Sequence, residues 1–494
     1  MTRTDAEPAH ISEVREGQYG TRVATVEPGG AEFIPLEERH GRPLNLFWTW
    51  TSPNFEFATV FVGVLPMFFG ETFTQAALAI LLGTGLGSVS MGLLSARGPR
   101  HGVPQMILSK ISFGRYGNIL PAGVNSLVAG VGWFAVNSVS GTLALSALTH
   151  WHPVPCLLLI TVAQIAIAFF GHNLVHSFER LAFPLLAVVF VVVSVVLLGE
   201  SHPSALNGGG GGLGGFLLTL GATFGYAAGW NPYASDYTRY LKQNENSRAV
   251  AWWAGLGVFA SCVLLELAGT AAATLAVPDG AWDNDPTGAF IAHLTPWLGK
   301  TTLVCIAIGA VCANALNVYS GAMSFMALGV KIPLTARRAL VAVVFGVAGF
   351  FLAWSGLKDA GAKYNNFLLV IAYWIGPWLG VFFADQFLRR GQDVDRLLFS
   401  RTHRPVAGVL AMAAAMAVSI PLFSNQTDFT GYLAKRHHSL GDLTFEVGFV
   451  LAGLLYWLLF RTLPRALGRG DETAAAAAPA DPAAPAASAE AAGA

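Results

Sequence analysis

Charge is scarce in this 494-residue chain: Asp, Glu, Lys and Arg make up only 12%, and the 29 basic and 29 acidic residues cancel. Ordinary soluble domains carry about 25% charged residues. Without a concentrated basic surface, no nucleic acid partner is expected. Cysteine is sparse as well. Cys156, Cys262, Cys305 and Cys312 all fall in apolar stretches without paired loop spacing, so neither a disulfide framework nor a zinc site is implied. Catalytic signatures are also missing. His172 and His176 share a helical face but lack a third ligand and the Glu of an HExxH pair, and the glycine run at 208–215 lacks the Lys and hydroxyl residue of a phosphate loop. GTGLG at 83–87 follows no strand, so close helix packing is its better reading. No nucleophile, base and oxyanion hole assemble. An enzyme is therefore not expected, nor a cofactor or a metal.

What the chain has in quantity is apolar sequence, 54% by composition. It is gathered into about twelve runs near 44–69, 73–95, 118–148, 154–172, 182–199, 213–236, 251–277, 300–327, 338–356, 365–389, 406–424 and 443–463. Runs of about 20 apolar residues suit a hydrocarbon core roughly 30 Å thick. An all-α membrane protein is expected, with its membrane domain at 44–463. Residues 1–43 are polar and lack an apolar segment followed by a cleavage site, so they read as a cytoplasmic tail behind which the first span acts as targeting signal. The Ala-, Pro- and acid-rich stretch 464–494 reads as a disordered cytoplasmic tail. Loop charge gives an independent test of orientation. With the N-terminus inside, inner segments hold 24 of the 29 Lys and Arg residues, leaving Lys300, Lys358, Lys363, Lys435 and Arg436 outside. That bias follows the positive-inside rule and predicts an even number of spans, both termini cytoplasmic, in the cell membrane.

Two of the spans are interrupted. GYAAGWNPYASDYTRYL (225–241) is broken by Pro232 just after Trp230, and FWTWTSPNFEFATVFVGVL (47–65) by Pro53 after Trp50. Backbone groups unpaired at membrane depth persist only where they line a cavity or meet a bound species. Because the breaks lie five spans apart, they predict a 5+5 inverted repeat with discontinuous helices 1 and 6 plus two peripheral helices, binding substrate near the midplane.

Polar and aromatic side chains gather on the spans that such a fold brings together. Trp133 and Asn137 stand four residues apart on one face of the third span. An indole plane beside an amide suits a flat heterocycle, since stacking contributes about 1–3 kcal/mol per base and the amide offers both donor and acceptor. Trp230 would cover the opposite face, with Gly229 letting the ring approach the backbone. Asn314 and Asn317 sit in an otherwise apolar eighth span, where either helix pairing or ligand binding would satisfy them. Glu56 after the first break and Glu266 inside the seventh span are the candidates for ion coupling, because a carboxylate at mid-bilayer usually marks an ion path. Asp236, Glu179 and Asp385 lie near Arg239, Arg180 and Arg389 at span ends, which suggests structural ion pairs.

Five strings taken jointly resemble one family, the nucleobase:cation symporter-1 family, in its purine-cytosine permease branch: HGVPQMILSKISFGRYGNILPAGVNSL (101–127), GVGWFAVN (130–137), GWNPYASDYTRYL (229–241), ANALNVYS (313–320) and ADQFLRR (384–390). The resemblance covers about 33–465 and implies a leucine-transporter-type fold working by alternating access. It further implies a nucleobase held between Trp133 and Trp230, with polar contacts from Asn137, Asn317 and nearby Asn314, and a first-span contact region at Ser52 and Asn54. Residues 303–316 (LVCIAIGAVCANAL) depart from the sodium-coupled pattern by lacking Ser and Thr. Proton coupling is expected, with sodium as the alternative. Cytosine or a purine is the expected substrate. Allantoin, a hydantoin, uracil or a thiamine-precursor pyrimidine would fit the same sandwich, and a non-transporting sensor is the alternative of another class. Membrane lipid and the small-molecule substrate are the only partners implied; no obligate protein partner is.

Overall fold

The computed structural model describes residues 31, 33–170, 172–206, 210–329, 334–358, 360–400 and 403–462. The expected C-terminal tail falls outside these residues, as do the expected N-terminal tail apart from residues 31 and 33–43 and the side chains of His172, His176 and Glu179.

Each expected span coincides with a helix or an interrupted helix. In chain order these are α1a (Asn45–Thr51) and α1b (Phe57–Val62), α2 (Phe73–Ser95), α3 (Ile119–Thr149), α4 (Pro153–Phe170), α5 (His172–Glu200), α6a (Gly212–Ala228) and α6b (Ala234–Thr238), α7 (Ser247–Ala273), α8 (Pro296–Ala327), α9 (Leu334–Gly356), α10 (Ala360–Leu388), α11 (Ala407–Phe423) and α12 (Thr444–Thr462). In hydrocarbon a backbone can satisfy its own N–H and C=O groups only as a helix or a closed barrel, so long apolar runs here become helices. Among the described residues, seven helices are long and apolar enough to cross a membrane by themselves. Local signals set their ends. Thr72 caps α2 through a reciprocal box with Gln75, and the Asn246 side chain accepts from the Arg248 and Ala249 amides at the start of α7.

GTGLG is a packing motif, as expected. A Cβ at Gly83 would lie 2.1 Å from Thr223 Oγ1 and one at Gly87 2.7 Å from the Ala227 Cβ, so α2 meets α6a backbone to backbone. The described part of the glycine run, from Gly210 on, is tied into the fold. Helix already begins at Gly212, and the Gly211 N–H donates to Gly70 O at 3.1 Å.

The basic stretch between α2 and α3 is more than a topology signal. It folds into three short helices, Gly98–His101, Gln105–Leu108 and Lys110–Gly117, and most of its residues are buried. Ser235 Oγ donates to Val103 O at 2.6 Å and the Gln105 amide to Asp236 Oδ1 at 2.9 Å, so this segment closes over α6b. Segments too short to show apolar periodicity give little sequence signal, which is why it reads as a loop. Arg97, Arg100, Arg389 and Arg390 gather around one cavity where this segment meets the end of α10, and make that face basic.

Candidate functional site

Both breaks begin as 3-10 turns with a proline in the first two positions, Ser52–Asn54 and Asn231–Tyr233. Proline is tolerated there because its missing N–H has no helical acceptor to lose. Beyond the prolines the two diverge. After Pro53 the chain unwinds through Phe55 (φ −76°, ψ 69°) to a fully extended Glu56 (φ −149°, ψ 169°). Around Pro232 it stays in the right-handed helical region, with Gly229 (φ −53°, ψ −27°) before it and Tyr233 (φ −106°, ψ −2°) and Ala234 (φ −50°, ψ −43°) after it. The second interruption is thus a tightening of the helix and leaves fewer backbone groups open than its sequence suggests.

Side chains satisfy the first break. Asn54 Nδ2 donates to Trp50 O at 2.7 Å, Thr59 Oγ1 donates to Asn54 O at 2.6 Å, and Asn54 Oδ1 accepts from Trp230 Nε1 at 2.9 Å. Asn54 therefore spends its amide on holding α1 to α6. Tyr226 adds a second tie: its hydroxyl lies within hydrogen-bond reach of both Thr59 Oγ1 and Glu56 Oε1, the latter at 3.3 Å, and its single proton serves one of them at a time. Ser52 is buried with its Oγ unpartnered, and Glu56 Oε2 is likewise buried without a hydrogen-bond partner among the described residues.

On α3, a single π-helical turn, Val128–Trp133, delivers Trp133 at its end, a distortion common at functional sites. Trp133 meets Tyr226, Tyr364 and Phe367 edge-on, with centroids 5.5, 6.4 and 5.2 Å away. Trp230 instead touches Trp50 and Tyr233, at 5.8 and 5.7 Å. The two indoles make no ring contact with each other. What lies between them is Gly229, where a Cβ would come within 3.1 Å of Trp133 Cζ2.

One turn beyond Trp133, Asn137 joins an amide relay whose directions are fixed. Asn314 Nδ2 donates to Phe134 O at 2.8 Å, and a carbonyl can only accept. Asn314 Oδ1 therefore faces away, accepting from Asn137 Nδ2 at 3.0 Å and from Asn317 Nδ2 at 3.4 Å. Asn137 Oδ1 is left buried and without a partner among the described residues. Asn317 Oδ1 accepts from Tyr233 OH at 3.2 Å. Asn314 thus has its polar atoms engaged in positioning its neighbours, whereas Asn137 keeps a free acceptor.

Glu266 stands apart from this cluster. It is buried on α7, with Oε2 accepting from Thr84 Oγ1 at 2.6 Å and Oε1 without a partner among the described residues. Of the ion pairs expected at span ends, Arg389 Nε bonds Asp385 Oδ1 at 2.9 Å. Asp236 Oδ1 takes the Gln105 amide, and Arg239 Nε reaches the Asp236 carbonyl at 3.2 Å. Among the described residues no group of three His, Cys, Asp or Glu side chains is arranged to hold a metal.

Several site members carry little sequence signal. Tyr226 lies four residues before Trp230, a spacing that marks the shared face, but Tyr364 and Phe367 of α10 are ordinary aromatics in an apolar helix. Away from the basic face, a cavity of about 410 Å³ runs down to these two rings between α1b, α3, α9 and α10, with Gly132 and Val136 in its wall. Tyr364 OH donates to Ala58 O at 3.1 Å. Phe367 and Tyr364 thereby stand between the cavity and Trp133.

A family model described as permease for cytosine/purines, uracil, thiamine, allantoin matches residues 33–448. The chain is 27% identical to a putative purine-cytosine permease, YxlA, of Bacillus subtilis, over 88% of this chain and 96% of that protein. It is also 27% identical to the purine-cytosine permease fcyB of Emericella nidulans, over 88% of each. Among solved structures, the nucleobase-cation-symport-1 family transporter Mhp1, closed with bromovinylhydantoin bound, superposes with a TM-score of 0.70 at 19% identity, over 90% of this chain and 99% of that one.

Proposed function

Given that the chain belongs to the family of permeases for cytosine/purines, uracil, thiamine and allantoin, in its purine-cytosine branch, we propose that it imports cytosine or a purine by alternating access, driven by protons. It is a transporter and not an enzyme. The observation that carries the substrate reading is the Asn137 acceptor. Its amide is oriented by Asn314, its Oδ1 is buried and unpartnered, and it lies one turn from Trp133. A planar ring lying on Trp133 and presenting a ring N–H or an exocyclic amine would satisfy that oxygen. Stacking supplies about 1–3 kcal/mol, and leaving a buried acceptor unmet costs about 1–3 kcal/mol. Gly229 would admit the ring edge, Trp230 and Ser52 would border it, and Asn317, held only by long bonds, would complete the polar contacts. Asn54 and Asn314 would position rather than touch.

Proton coupling rests on α8. The first break lies against Gly309, where a Cβ would come within 2.6 Å of Phe55 O, and the bordering stretch 303–316 offers no hydroxyl. Without α8 hydroxyls, a hard cation at the break would have to gather its roughly six oxygens from carbonyls and water. Glu56 and Glu266, each with an unpartnered oxygen, would carry the proton, and both termini would face the cytoplasm in the cell membrane.

The test is uptake of labelled cytosine into proteoliposomes, competed by adenine, guanine, hypoxanthine, uracil, allantoin and a hydantoin, with proton and sodium gradients imposed separately. Uptake driven by the proton gradient and competed best by cytosine or a purine is expected. Accumulation that survives a proton uncoupler but collapses when sodium is replaced would overturn the coupling. Binding without accumulation would identify a sensor instead.

A further inference from the structure

A second cavity, about 430 Å³, opens on the basic face and takes no part in the site above. Arg97 and Arg100 of the segment after α2 and Arg389 and Arg390 at the end of α10 line it, together with Gln386, Phe383 and Phe387. Four guanidiniums meet one lining carboxylate, Asp385, whose Oδ1 already holds Arg389 Nε at 2.9 Å and the Tyr456 hydroxyl. The neighbouring acid Asp395 is bonded to His101 Nδ1 at 2.5 Å. The carbonyls at the end of α10 add a partial negative charge of about half an elementary charge; with Asp385 and Asp395 both counted against the four guanidiniums, the cavity stays net positive. Buried Gln386 Nε2 has no hydrogen-bond partner among the described residues. Phe387, 72% exposed, continues the wall onto the outer surface of α10, where hydrocarbon would lie.

We propose that this cavity binds the phosphate group of an anionic phospholipid. Guanidinium forks match phosphate oxygens bidentately, the orphaned Gln386 donor would reach a phosphate or headgroup oxygen, and Phe383 and Phe387 offer an apolar exit for the acyl chains. A basic pocket between membrane helices has the chemistry of a headgroup site. Such a lipid would link the short helices after α2 to α10, which also carries Tyr364 and Phe367.

The test titrates the purified full chain in uncharged detergent with short-chain phosphatidylglycerol, phosphatidylcholine or inorganic phosphate and follows the thermal unfolding midpoint. A saturable rise with phosphatidylglycerol alone is expected. Arg100→Gln/Arg390→Gln, both at the exposed rim, should raise the half-saturating concentration roughly thirtyfold, taking about fivefold for each surface arginine, with the lipid-free midpoint unchanged. Arg42→Gln/Lys242→Gln removes the same charge from the other basic cavity and should leave the response intact. Equal responses to both lipids, equal loss in both double variants, or a response to inorganic phosphate without one to phosphatidylglycerol would overturn the proposal.

Discussion

The breaks in α1 and α6 start from nearly the same sequence device and end as different structures. Each follows a tryptophan and carries a proline at the start of a 3-10 turn. Only the first unwinds to an extended residue. The difference teaches that proline alone tightens a membrane helix, whereas opening it requires side chains that take over the freed backbone groups. Asn54 and Thr59 do so in α1, and Trp230 and Tyr226 of α6 hold them there. The less distorted break thus supplies the supports for the more distorted one.

The contrast breaks most readily at Asn54. Asn54→Ala removes two buried bonds and leaves Trp50 O and Trp230 Nε1 unmet; at about 1–3 kcal/mol for each stranded group, thermal unfolding in detergent should register a loss of roughly 2–6 kcal/mol, and uptake should disappear. Trp230→Ala and Asn137→Ala should abolish uptake while the protein still reaches the membrane, as read by surface labelling beside transport; normal transport by both would remove the site. Trp230→Phe sharpens the comparison, because it retains an aromatic face and gives up only the bond to Asn54. Stranding the buried Asn54 Oδ1 costs about 1–3 kcal/mol, so cytosine binding should weaken by between about fivefold and about 150-fold. Pro232→Ala should matter least. The chain there already has helical dihedrals, so stability should shift by less than about 1 kcal/mol and binding should be retained.

The helices and the place of both breaks were legible because a bilayer imposes length and internal hydrogen bonding on every span, and Pro53 and Pro232 interrupt those runs visibly. Trp133 and Asn137 were legible through their helical spacing. The asymmetry of the breaks was not, because it depends on which side chains reach Trp50 O and Asn54 O across α1 and α6. The engagement of Asn314 was hidden for a similar reason. Its role follows from the Phe134 carbonyl on another helix, a contact with no signature in the span that carries Asn314. The short helices at 98–117 were invisible for want of length, and Phe367 and Tyr364 for want of any feature separating them from other apolar-span aromatics.

The most direct measurement is a binding isotherm of labelled cytosine on the purified protein, compared with Asn137→Ala and with cytosine methylated at its donor nitrogens. Saturable binding is expected, lost in the variant and on methylation, since both leave a buried polar group unmet or absent. Undiminished binding of cytosine by Asn137→Ala, or equal binding of the methylated base by the unaltered protein, would contradict it.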